Sequence, residues 1–286
     1  MEQIVSIIAP AYNHERFIKD SIYSIINQTY KDIQLIIIDD CSKDSTCKEI
    51  ENIIINKDIE RRFIHGIHFI KHESNRGAHN SINEGLKLAS GHYLTIINTD
   101  DLYQPNRIEV MVEALKKNKS NIAFSRVDTI DDCNNIGRNF DWKYYSLQDK
   151  IFQRPRVNFA LITDNVAIST GNLFFTKALY NKVGEFNNYK YIHDWDYILR
   201  CTLVDEPIFV KDTSYLYRIH DTNTFKELDK DLELCGREYY EVMTRYLKNI
   251  KNGNFENDKI ASIDVLDYFI KYIICDRGLE HLWNIQ

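Results

Sequence analysis

Residues 4–13 read Ile-Val-Ser-Ile-Ile-Ala-Pro-Ala-Tyr-Asn. Ile4 to Ala9 is an apolar run of strand length, and Pro10 marks its edge. Residues 14–27 follow with Phe17, Ile18, Ile22, Ile25 and Ile26 on one helical face. A dinucleotide-binding fold would place G-x-G-x-x-G after such a strand. Pro10-Ala11-Tyr12-Asn13 stands there instead, which argues against a dinucleotide oxidoreductase. The unit then repeats. Gln34 to Ile38 is a β-branched strand, and 44–55 a helix with Ser42 or Asp44 as N-cap. Ile67 to Lys71 is a strand, 78–90 a helix that Gly91 can end, and Tyr93 to Ile97 a strand. Strands that are apolar throughout and alternate with helices predict a mostly parallel α/β sheet.

The later chain is less regular. The pattern predicts a helix over 106–118, then strands at Asn121–Thr129 and Asn172–Thr176. It predicts another helix from Asp194 to Leu203 and short strands at Ile208–Val210 and Ser214–Arg218. Residues 131–165 lack a period and read as a long functional loop with short helices. From about 226 the pattern is helical, broken at Lys251-Asn252-Gly253-Asn254.

The 286 residues carry 36 basic and 42 acidic side chains, a net charge of −6, which disfavours a phosphate-neutralising nucleic-acid binder. No apolar stretch is long enough to span a membrane, and the N-terminus lacks the pattern of a signal peptide. Six cysteines show no C-x-x-C spacing and read as reduced thiols of a cytoplasmic protein.

Ligands of parallel sheets bind at the carboxyl ends of the strands, and chemistry gathers there. Asn98-Thr99-Asp100-Asp101 follows an apolar strand. The two carboxylates suit Mg²⁺ or Mn²⁺ holding a diphosphate, or else simply favour a helix start. Asp39-Asp40 can accept from a nucleobase N–H or a ribose hydroxyl, or precede a capped helix. Ser74 to Asn80 is a strand-to-helix turn able to attract phosphate, with Arg76 adding charge and Gly77 serving the turn. Asp194 can act as a general base or as a cap, with Arg200 pairing Asp196. His220 can ligate a metal or simply fill a surface or core position.

Taken in order, these pieces resemble the family 2 glycosyltransferases of the GT-A fold. The resemblance runs through Val5 to Asn13, Ser24 to Tyr30, Ile38 to Thr46, Asn75-Arg76-Gly77, Gly91 to Leu94, Asn98 to Asp101 and His193-Asp194, within about residues 4–220. It implies an inverting transfer from a nucleotide-sugar, usually a UDP-sugar, with Mn²⁺ or Mg²⁺. It implies that Pro10, Tyr12, Asp39, Asn75, Arg76 and Gly77 hold the nucleotide. Asn98 would bond a ribose hydroxyl, and Asp100 would lie at the diphosphate. Asp101 would be the direct metal ligand, with His220 as a second, and Asp194 the catalytic base. Asn98 stands where the family often has Asp, and His193 where it often has Glu. Those departures favour the alternative of a catalytically impaired binding module of the same fold.

On this reading residues 1–97 are the nucleotide-sugar half, 98–224 the acceptor and catalytic half, and 225–286 a C-terminal helical extension. By family analogy the acceptor is a saccharide or lipid-linked saccharide of a bacterial surface glycan, which suggests the inner face of the membrane. In the extension, Ile260, Ile263, Leu266, Ile270 and Ile273 fall at helical spacing. Core packing is the plain reading, with a homodimer contact or peripheral membrane contact as the others.

Overall fold

The computed structural model describes residues 3–137, 142–221, 223, 231–259, 269–275 and 277–283. Its strands are β1 (Val5–Ala11), β2 (Ile33–Asp39), β3 (Ile67–Lys71), β4 (Tyr93–Ile96), β5 (Leu102–Tyr103), β6 (Ile122–Ile130), β7 (Leu173–Thr176) and β8 (Ile208–Arg218). They form one sheet in the order β3-β2-β1-β4-β7-β6-β8-β5. The first four are mutually parallel, as are β6 and β8. β7 runs against both neighbours, and β5 against β8. The expected mostly parallel α/β sheet is therefore present.

Helices cover both faces. They are α1 (Ile18–Ile26), α2 (Thr46–Ile54), α3 (Lys57–Arg62), α4 (Ala78–Leu88), α5 (Arg107–Asn118), α6 (Trp142–Asp149), α7 (Val157–Thr163), α8 (Lys177–Val183), α9 (His193–Thr202), α10 (Leu232–Lys251) and α11 (Glu280–Trp283). Strand alternation divides the isoleucines between two cores. Val5, Ile7, Ile33, Leu35 and Ile37 pack with α1, α2 and α5. Ile8, Ile36 and Ile38 face the other way and pack with α4, α7, α9 and α10. This two-sided burial is why those strands are apolar without a polar alternation.

Several local expectations change, among them the N-cap of α2, which is Ser45 rather than Ser42 or Asp44. Gly91 does not end α4 through a left-handed turn, because Ala89 is the C-cap with φ −66°. Its lack of a Cβ instead lets the chain approach β1: a Cβ there would lie 2.7 Å from the Ser6 nitrogen. The two short strands after 207 are one strand, β8, with a register shift opposite Ser125/Arg126. Lys211 and Asp212 are exposed at that irregularity, which breaks the apolar run. Helix α8 is additional, capped by Thr176, whose Oγ1 accepts from the Leu179 N–H at 3.1 Å. Finally, α9 starts at His193, so Asp194 lies in its first turn rather than at its cap.

From the C-terminal part, Val242, Met243, Leu247, Phe269, Ile273 and Leu282 join the core on the α4 face. Ile270 is 38% exposed. Ile260, Ile263 and Leu266 lie outside the described residues. Among those described, no helix is long and apolar enough to cross a membrane.

Candidate active site

A cavity of about 650 Å³ lies at the carboxyl ends of β1, β2 and β4. It sits where strand order reverses around β1, the position at which open α/β sheets bind ligands. Pro10, Tyr12 and His14 line it from the end of β1, and Asp40 from the end of β2. Asn75 and Gly77 come from the turn into α4, Asn98 and Asp100 from behind β4, and Asp194 from the start of α9.

The β1 end is pinned by its neighbours. Asn13 is left-handed, with φ +56°. Its Oδ1 accepts from the Lys43 N–H at 2.8 Å, and its own N–H donates to Ser42 Oγ at 3.0 Å. Tyr12 beside it is 41% exposed, leaving a ring free to pack on a flat ligand. Asp40 organises the opposite turn. Its carboxylate accepts from the Arg76 and Gly77 N–H groups, both at 2.8 Å. His72 Nδ1 lies 2.7 Å from Asp40 Oδ1, and His72 Nε2 lies 2.9 Å from Glu84 Oε2. Gly77 has φ +86°, a conformation that favours glycine.

The two adjacent carboxylates behind β4 are sorted by long-range partners. Asp101 is 1% exposed and turned inward. Its Oδ1 accepts from the Arg218 N–H at 2.8 Å; its Oδ2 accepts from Tyr215 Oη at 2.6 Å and Asn98 Nδ2 at 3.3 Å. Burial, and then the charge of Asp100, push its carboxyl well above the ordinary range. Asp100 instead lines the cavity. Its Oδ2 lies 3.0 Å from His220 Nε2 and 4.0 Å from His14 Nε2. Burial works to raise Asp100, but the two histidines overrule it and hold the carboxyl below its usual value. Asp100 Oδ1 is buried with no hydrogen-bond partner among the described residues. A free carboxylate oxygen beside an imidazole suits a Mn²⁺ or Mg²⁺ ion. Among the described residues no group of three His, Cys, Asp or Glu could hold a metal. An ion at Asp100 and His220 would therefore draw its remaining ligands from phosphate and water.

Asp194 faces the same cavity. Its Oδ1 accepts from the Trp195 N–H at 2.7 Å, and its Oδ2 from Asn165 Nδ2 at 3.0 Å. Burial lifts its carboxyl above the ordinary value, against the opposing pull of His193. His193 itself meets Thr170 Oγ1 at 3.1 Å.

Of the residues singled out in the sequence, Pro10, Tyr12, Asn75, Gly77, Asn98, Asp100 and Asp194 meet at this cavity. His220 reaches it through Asp100. Three others, like His220, do not line it. Asp39 is 3% exposed; its Oδ2 accepts from the Ser42 N–H at 3.1 Å and its Oδ1 is buried with no hydrogen-bond partner among the described residues, while Asp40 lines the cavity. The Arg76 side chain turns to Glu84 at 3.6 Å, so only its backbone serves the turn. Asp101 is held inward by Arg218 and Tyr215, while Asp100 lines the cavity. Sequence reasoning also passed over His14, although it follows the β1 segment directly. Ser169, Thr170, Lys190 and Tyr191 line the far wall and carry no sequence pattern.

Solved structures share this architecture. S. aureus TarS residues 1–349 in complex with UDP-GlcNAc align with a TM-score of 0.65 at 19% identity, covering 87% of this chain and 67% of that one. The chain spans 40% of a longer TarS structure. The fold is thus that of the GT-A glycosyltransferases. The family model described as glycosyl transferase family 2 matches residues 6–183. The chain belongs to that family and is a glycosyltransferase. An uncharacterized glycosyltransferase of Haemophilus influenzae is 30% identical over 275 residues, covering 93% of this chain and 80% of the relative. WfgD of Escherichia coli is named as a UDP-Glc:alpha-D-GlcNAc-diphosphoundecaprenol beta-1,3-glucosyltransferase. It is 24% identical over 243 residues, covering 82% of this chain and 86% of the relative.

Proposed function

We propose that this glycosyltransferase moves a sugar, with inversion, from a UDP-sugar to a hydroxyl of a saccharide or lipid-linked saccharide. The observation that carries the reading is that Asp100 and Asp194 line one cavity, the first carboxyl held below its ordinary value and the second lifted above it. Tyr12 stacks on the base, and Asp40 keeps the Asn75–Gly77 turn open toward the diphosphate. Asn98 bonds the ribose. Asp100 and His220 would hold a divalent ion, which would neutralise charge on the leaving diphosphate.

Asp194 takes the proton from the acceptor hydroxyl. That oxygen attacks the anomeric carbon from the face opposite the diphosphate, and the bond from carbon to diphosphate oxygen breaks. No protein nucleophile takes part. The raised carboxyl makes ionised Asp194 a better proton acceptor than an ordinary aspartate. The WfgD relative, by its name, uses UDP-Glc and a lipid diphosphate acceptor, which supports this donor and acceptor class. The activity belongs to the inner membrane face by the same analogy.

A thermal-shift screen of UDP-, GDP-, dTDP- and CMP-sugars with Mn²⁺ tests the donor, since a ligand bound only by the folded state raises the melting temperature. A UDP-sugar should give the largest rise, and chelation should remove most of it. A rise that ignores chelation, or one confined to another nucleotide, overturns this reading.

A further inference from the structure

Glu238, on α10, is buried at 6% exposure. Its Oε1 accepts from the Lys190 N–H at 2.7 Å and its Oε2 from the Tyr191 N–H at 3.0 Å. Two successive amides aimed at one carboxylate form an anion-binding concavity, here filled from within the chain. Lys190 and Tyr191 are the cavity wall just ahead of Asp194. The same helix makes a second connection. Arg245 pairs with Asp196, which is buried in the first turn of α9 and also accepts from Arg200 Nε at 3.0 Å and Asn187 Nδ2 at 2.9 Å. Arg245 also reaches Tyr189 Oη at 3.3 Å.

Apolar packing alone would need none of these polar contacts. They all fall on the stretch from Asn187 to Asp196, which carries Asp194. We infer that Glu238 is a positioning residue: through the Lys190 and Tyr191 amides it sets the acceptor-side wall of the cavity relative to Asp194. The inference rests on the transferase reading for what that wall binds. The donor side, from Tyr12 to Asp100, has no contact with Glu238 in the hydrogen-bond network described above. Helix α10 therefore ties the acceptor-side wall to the core that it helps to build.

Glu238→Gln and Glu238→Ala test this. Gln keeps one oxygen acceptor and presents an NH₂ to the other amide, so it should retain part of the effect; Ala removes both. Amide hydrogen exchange at Lys190 and Tyr191 should quicken by about tenfold or more in the alanine variant, and less in Gln, while the amides of Arg76 and Gly77 keep their wild-type rates. UDP with Mn²⁺ should bind as in wild type. With the donor selected by the thermal-shift screen and an α-GlcNAc-diphospho-lipid as acceptor probe, acceptor KM should rise and kcat/KM fall about 10–100-fold, with donor KM unchanged; an acceptor KM equal to that of wild type overturns the inference. Unchanged exchange at Lys190 and Tyr191 overturns the inference. So does exchange that quickens equally at Arg76 and Gly77, or UDP affinity that falls in step, since both describe a merely structural residue. If wild type fails to bind UDP, the transferase donor assignment falls, and the exchange rates still decide the role of Glu238.

Discussion

Tyr215 Oη donates a 2.6 Å hydrogen bond to Asp101 Oδ2, and that bond, with the Arg218 N–H on Oδ1, turns Asp101 out of the cavity. Tyr215 and Arg218 both belong to β8, more than a hundred residues along the chain. The neighbouring Asp100 keeps an unpartnered oxygen among the described residues. Two chemically identical side chains therefore take different work because one strand supplies donors to only one of them.

The first prediction follows from that division. Asp100→Asn should weaken Mn²⁺-dependent binding of UDP by about tenfold or more, the scale on which even outer groups of a metal site act. Asp101→Asn should largely keep that binding. Tyr215→Phe should cost about 1–3 kcal/mol of stability, the usual penalty for leaving a buried acceptor short of its donor. Calorimetric titration with UDP and Mn²⁺, beside urea unfolding, separates the two effects. If Asp101→Asn abolished metal-dependent binding and Asp100→Asn did not, the assignment would reverse.

Gly171 gives a steric test of the same joint. A Cβ on it would lie 2.0 Å from Tyr215 Oη. Neither partner can yield cheaply, because Tyr215 is fully buried and tied to Asp101. Gly171→Ala should therefore destabilise by about 1–3 kcal/mol through overpacking. It should also weaken UDP binding in Mn²⁺ by disturbing the 98–101 turn. A variant with wild-type stability would show that Tyr215 can move aside, and that its bond to Asp101 is not restrictive.

His72 bridges the buried carboxylate of Asp40 and that of Glu84. Without it, Asp40 keeps the Arg76 and Gly77 amides but loses its side-chain partner. His72→Leu should cost about 1–3 kcal/mol and raise the Kd for UDP. His72→Gln, which retains a hydrogen-bonding side chain, should lose less of both. Equal UDP affinity across wild type and both variants would detach Asp40 from donor binding.

The strand–helix alternation to residue 96 was legible because both faces of those strands are covered, which forces isoleucine-rich runs that few other structures use. The cavity was legible as a place because strand ends carry its carboxylates. Which carboxylate faces the ligand was not. Asp40 against Asp39, and Asp100 against Asp101, are decided by backbone direction and by donors from distant strands. Ser169 and Thr170 escaped notice because a short 3₁₀ turn, Thr170–Asn172, presents them, and such turns have no hydrophobic period. Glu238 carries no motif of its own; its burial depends on where Lys190 and Tyr191 arrive.

The pH dependence of Asp194 supplies the last prediction, and it has two signs. Burial raises its carboxyl in the folded protein, with His193 offsetting part of the rise. A general base works only when ionised, so kcat/KM should fall as pH drops through that raised value, at a higher pH than an ordinary aspartate of about 3.9 would set. Asp194→Asn should remove this acid limb and lower turnover by about 10²–10⁴-fold, while UDP binding survives. Stability runs the other way. The folded state favours the protonated carboxyl, so its contribution is complete below the unfolded pKa and is lost as pH rises through the folded one. Asp194→Asn carries a neutral amide at every pH. Its urea stability should therefore fall less than that of wild type as pH rises from acid toward neutrality. An acid limb that persists in the variant would assign the titration to another group, and turnover close to wild type would take Asp194 out of the chemistry altogether.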